Sequence, residues 1–61
     1  MFKVFEDDFG WKARFDERGD GTVHGTVLTG DGFVVYDRDF PSMEVAMTLF
    51  YRSWPNMREV A

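Results

Sequence analysis

The chain reads as a small α+β domain: an antiparallel β-meander of four strands, three at the least, with one C-terminal α-helix packed on one face. Three observations carry this expectation. Residues 1 to about 40 alternate in polarity and are interrupted by Gly/Asp clusters, as strands joined by turns do. Residues 42 to 54 change to a spacing of three and four, the pattern of an amphipathic helix. The 61 residues contain no linker, low-complexity tract or repeat, so residues 1–61 are expected to form a single domain.

Each element has a local reason. Phe2-Lys3-Val4-Phe5-Glu6 is the first expected strand. Asp7-Asp8-Phe9-Gly10 is a turn, because Asp bonds to its own backbone and Gly accepts a positive φ. Trp11 to Asp16 alternates apolar and charged residues with strict period two, the cleanest strand signal in the chain. A loop at Glu17–Gly21 precedes a third strand over Thr22–Thr29, in which Gly25 marks a bulge or a close backbone approach. Gly30-Asp31-Gly32 is a hairpin turn, and Phe33 to Arg38 the fourth strand. Ser42 then caps a helix whose apolar stripe is Met43, Ala46, Met47, Leu49, Phe50 and Trp54, with Glu44, Thr48 and Arg52 opposite and Pro55 as the stop. The tail from Asn56 to Ala61 either folds back through Met57 or frays.

Size and composition narrow the function. A domain this short buries about 60% of its unfolded surface, and its core rarely yields more than about 3–5 kcal/mol of net stability. Cysteine is absent, which removes disulfides and thiolate metal sites, and the single His24 does not make a zinc site. The compensating resource is aromatic area, 18% of the residues. A net charge of −4 argues against a coat for nucleic acid or anionic membrane. The N-terminal residues do not read as a signal peptide, and no stretch approaches the ~20 apolar residues of a membrane span. A cytoplasmic location without membrane association is the expectation.

Strand periodicity assigns faces. With Trp11, Ala13 and Phe15 beneath the helix, their expected same-face partners are Phe2, Val4, Val23, Val27, Phe33 and Val35. Lys3, Phe5, Lys12, Arg14, Thr22, His24, Thr26, Leu28, Val34, Tyr36 and Arg38 then point away from it. That face would be basic and partly apolar. Acids would rim it at both ends, with Asp7, Asp8 and Asp31 at one and Asp16, Glu17, Asp20, Asp37 and Asp39 at the other. A half-wet antiparallel sheet carries Lys, Arg and Thr for solvation alone, which is the bland reading. The sharper reading is a contact surface formed by Phe5, Lys12, Arg14, His24, Val34, Tyr36 and Arg38, docking on a protein partner or, as a homodimer, on a second copy. Nucleic-acid binding through the same basic and aromatic face is the alternative.

Catalysis finds no constellation. His24 has the chemistry of a general base but no nucleophile placed with it, since Ser42 and Ser53 have local helix roles. Asp37 and Asp39 resemble a carboxylate pair at i, i+2, yet they suit the solvation of a strand end. The run from Asp16 to Gly21 lacks the alternating ligands and distal Glu of a calcium loop. No cofactor or metal is expected. These observations predict a non-enzymatic interaction module, of the kind that serves as a small accessory or inhibitor protein of bacterial or phage type.

Two likenesses accompany this reading. Gly10-Trp11-Lys12-Ala13-Arg14, followed by Phe40-Pro41-Ser42 and Ala46, loosely resembles the sheet-plus-helix DNA-binding domains of plant ethylene-response factors and the arm-binding region of phage-type integrases. Those domains are basic and imply DNA reading by the sheet face; this chain is acidic. Tyr51 to Arg58, with Trp54, Met57 and Arg58, resembles the C-terminal helix end of MbtH-like proteins, which implies an adaptor that binds adenylation enzymes. The Ser-Leu-Trp-Pro stretch of that family has no counterpart here.

Overall fold

A computed structural model describes residues Met1–Ala61. The elements are β1 (Phe2–Glu6), β2 (Lys12–Glu17), β3 (Val23–Leu28), β4 (Val34–Phe40), α1 (Met43–Ser53) and β5 (Arg58–Glu59). All strands join one antiparallel sheet in the order β4-β3-β2-β1-β5, with α1 packed on one face. The α+β meander is therefore as the sequence predicts, with one strand more. The tail does fold back: β5 pairs with β1, Val60 N–H donates to Val4 C=O at 2.8 Å, and Met57 is buried beneath it.

The helix forms where the stripe predicts. Ser42 Oγ accepts from Val45 N–H at 3.2 Å, satisfying one of the free donors of the first turn, and Glu44 stands there against the positive end of the dipole. Ala46 and Phe50 are buried, and Met43, Met47, Leu49 and Trp54 pack half-buried around them. The core is largely aromatic. Phe50 lies 4.8 Å from Phe5 and 4.9 Å from Phe15 between ring centroids, and Phe40 adds a third ring against Phe15 at 6.0 Å. Such rings exclude more water per residue than aliphatic side chains, which suits so short a chain.

The expected faces hold on β2 and β3 and fail on β1 and β4. Ala13, Phe15, Val23 and Val27 are buried beneath the helix as expected. On β1 the parity is reversed. Phe5 pairs with Ala13 and Lys3 with Phe15, so Phe5 is fully buried while Phe2 and Val4 face away from the helix. Phe2-Lys3-Val4-Phe5 carries apolar residues on both parities, and the ring that meets Phe15, Phe50 and Tyr51 takes the inside. On β4 a bulge decides. Val27 pairs with Tyr36 and Leu28 with Val34, leaving Val35 without an opposite residue. Val34 keeps the outward face, but Tyr36, Arg38 and Phe40 turn to the helix side. There Tyr36 meets Trp54 edge-on at 5.1 Å and the Arg38 guanidinium sits over the Phe40 ring. Phe33 and Val35, expected inside, are exposed.

Gly25 marks close approach rather than a bulge. A Cβ there would fall 2.4 Å from Cε2 of Phe15 and 3.0 Å from Cε2 of Phe40. The absent side chain is what allows both rings to approach the β3 backbone.

Candidate functional site

The helix-free face is ordered by pairing across the sheet, since directly opposed residues share a face. One row runs Phe2, Asp16, His24, Asp39; the next Val4, Arg14, Thr26, Asp37; the third Glu6, Lys12, Leu28, Val34. Arg58 extends the third row from β5 opposite Glu6. Of the residues singled out from sequence, Lys12, Arg14, His24 and Val34 lie together on this face. Phe5, Tyr36 and Arg38 do not: Phe5 is core, Tyr36 packs on the core, and Arg38 is exposed on the helix side opposite Gly25.

The expected basic face is therefore of mixed charge. Lys3 and Arg38 have left it, Lys3 to pair with Glu59 at 3.2 Å on the helix side. Asp16, Asp37, Asp39 and Glu6 have joined it. The signal that could have placed them was the period-two rule applied to β2 and β3, carried across to β1 and β4 by pairing. It was obscured by the doubly apolar β1 and the β4 bulge.

Two charged clusters divide the face. In the first, Arg14 Nε donates to both carboxylate oxygens of Asp16 at 3.0 and 2.9 Å, and its guanidinium lies 4.5 Å above the centre of the Phe2 ring. The hydrogen bond from Arg14 holds the Asp16 carboxyl below its ordinary range. In the second, His24 bridges β3 to β4: Nε2 is 2.8 Å from Asp37 and Nδ1 is 2.8 Å from Asp39. Both nitrogens donate at once only in the imidazolium form. Arg18 reaches the same Asp39 oxygen at 2.8 Å, and the bonds from His24 and then Arg18 depress the Asp39 carboxyl.

The two carboxylates at His24 take different ring nitrogens and do not converge on a common point, and no three His, Asp or Glu side chains are disposed to hold a metal ion. The face does carry a shallow groove of about 380 Å³, lined by Val4, Lys12, Ala13, Arg14, Asp16, Thr26 and Leu28. Its walls are apolar at Val4 and Leu28 and cationic at Lys12 and Arg14. Lys12 stands 4.0 Å from Glu6, a loose pair, and the Nη groups of Arg14 have no protein partner. No helix in the molecule is long and apolar enough to cross a membrane.

No protein-family model, no curated protein and no solved structure matches this chain.

Proposed function

We propose that the chain is a non-enzymatic interaction module that docks on a protein partner, or on a second copy, through the helix-free sheet face. The observation that carries this is the groove between Val4 and Leu28, with Lys12 and Arg14 standing over it. It offers apolar contact and unspent hydrogen-bond donors side by side, the composition of an interface rather than of a merely solvated surface. The acids Asp16, Asp37 and Asp39 on the same face would repel a polyanion, which favours protein over nucleic acid as the partner.

The experiment compares the wild-type chain with Lys12→Glu/Arg14→Glu, both residues being exposed and free of core contacts. Sedimentation reports a second copy, affinity capture from source-cell extract reports another protein, and a gel shift at low salt reports nucleic acid. The reading requires that a protein complex form with wild type and be lost in the charge-reversed variant. A gel shift alone, steeply weakened by salt, would transfer the face to nucleic acid.

A further inference from the structure

The two turns at one end of the sheet each hold out a phenylalanine. Phe9, between β1 and β2, is 86% exposed, and Phe33, between β3 and β4, is 68% exposed. Neither contributes to the core, yet both stand on tightly bonded backbone. Asp7 Oδ1 accepts from the N–H groups of Phe9 and Trp11 at 2.8 and 3.0 Å, and Gly10 closes that turn at φ 85°. Phe33 N–H donates to Thr29 Oγ1 at 3.1 Å, Thr29 N–H donates to Phe33 C=O at 2.8 Å, and Gly32 supplies φ 88°.

The turns also brace each other. A Cβ on Gly30 would lie 3.2 Å from the carbonyl oxygen of Phe9, and one on Gly10 would lie 3.8 Å from Cα of Gly30. Backbone therefore meets backbone where the two turns touch. The charge of this tip is one-sided. Residues 6–11 and 29–35 hold Glu6, Asp7, Asp8 and Asp31 and neither Lys nor Arg. Two of these acids have cationic partners from outside the turns, Asp8 in Arg58 at 2.7 Å and Glu6 in Lys12 at 4.0 Å, which leaves Asp7 and Asp31 without a cation. By contrast, the free edge of β4 is guarded against strand addition by its bulge and by Asp37-Arg38-Asp39.

We infer that this tip is a docking element whose phenylalanines enter an apolar pocket with a basic rim on a protein partner. Aromatic rings on pre-formed turns lose little freedom of backbone on binding, and phenylalanine is among the residues enriched at protein interfaces. Asp7 and Asp31, the two without a cation, select the rim: they attract Lys and Arg, repel anionic lipid and nucleic acid, and oppose a second copy of the same tip. The inference stands apart from the sheet-face reading, because it uses neither Lys12 nor Arg14.

The test follows backbone amide shifts of the full chain by NMR. Its probes are a synthetic amphipathic helix of leucine and lysine, the leucine/glutamate counterpart, and phosphatidylcholine vesicles with and without phosphatidylserine. The leucine/lysine peptide should shift the amides of residues 8–10 and 30–34. Phe9→Ala/Phe33→Ala should weaken its binding about tenfold or more, with the remaining spectrum unchanged. Lys12→Ala/Arg14→Ala should alter binding by less than about twofold. Shifts confined to the Lys12 and Arg14 face would overturn the tip while sparing the sheet-face reading. Equal binding of the glutamate peptide, binding to either vesicle, undiminished binding by the double variant, or no binding of the leucine/lysine peptide would each overturn it as well.

Discussion

A Cβ at residue 25 would stand 2.4 Å from Cε2 of Phe15, so Gly25 is the floor on which that ring rests. Phe15 cannot swing aside, because Phe5, Phe40 and Phe50 surround it at centroid distances of 4.9 to 6.0 Å. Gly25→Ala should therefore destabilise the chain by about 1–3 kcal/mol through overpacking. Urea denaturation, read as a lowered midpoint at unchanged slope, checks this.

Exposure separates two kinds of phenylalanine. Phe50→Ala removes the ring at the centre of the core and should cost about 3–5 kcal/mol, comparable with the whole stability of a domain this size. Phe9→Ala and Phe33→Ala should each change stability by less than about 0.5 kcal/mol, because their rings stand in solvent. Circular dichroism at 25 °C should show the first largely unfolded and the other two native.

Acid should loosen the molecule through three carboxylates. Asp16, Asp20 and Asp39 are each held below their ordinary range, by bonds from Arg14, from Thr22, and from His24 and Arg18 respectively. A depressed carboxylate contributes stability that is complete above its unfolded-state pKa and is lost as pH falls through the folded one. The melting temperature should hold steady at neutral pH and begin to fall below about pH 4. Asp39→Asn should make that fall shallower. All three carboxylates are at the surface, so molar salt should also reduce their contribution.

The helix depends on its first turn. Ser42→Ala leaves the Val45 N–H without its side-chain acceptor and should cost about 1 kcal/mol, whereas Ser42→Asp should restore most of it. Thermal melts of the three proteins side by side provide the check.

The helix, β2 and β3 were legible in the sequence because each carries its apolar residues on one parity or one stripe. Lys12-Ala13-Arg14-Phe15 admits only one way in. Phe2-Lys3-Val4-Phe5 admits two, and its face is decided by partners distant in sequence, Phe50 and Tyr51. On β4 a bulge inverts parity after Val34, and nothing in Val34-Val35-Tyr36 announces one. The short β5 carries no periodicity at all; only Met57 hinted that the tail returns. The candidate surface departs from the expected one on the same two strands, β1 and β4. Lys12, Arg14 and Asp16 follow from the period of β2 and His24 from that of β3, whereas Asp37 and Asp39 join them only with β4 in register and Glu6 only with β1.

Every strand pairing but one joins neighbours along the chain. The exception zips β5 onto β1, and the ion pair beside it, Lys3 to Glu59, links residues 56 positions apart. The hairpins can close early and cheaply, whereas this seam closes a loop of nearly the whole chain and has few contacts with which to offset the entropy. During synthesis β1 must therefore wait with one edge bare until Arg58 and Glu59 emerge. In the finished molecule the same seam is where opening should begin, exposing Met57 and the rim of Phe5 to amide exchange before the hairpins yield.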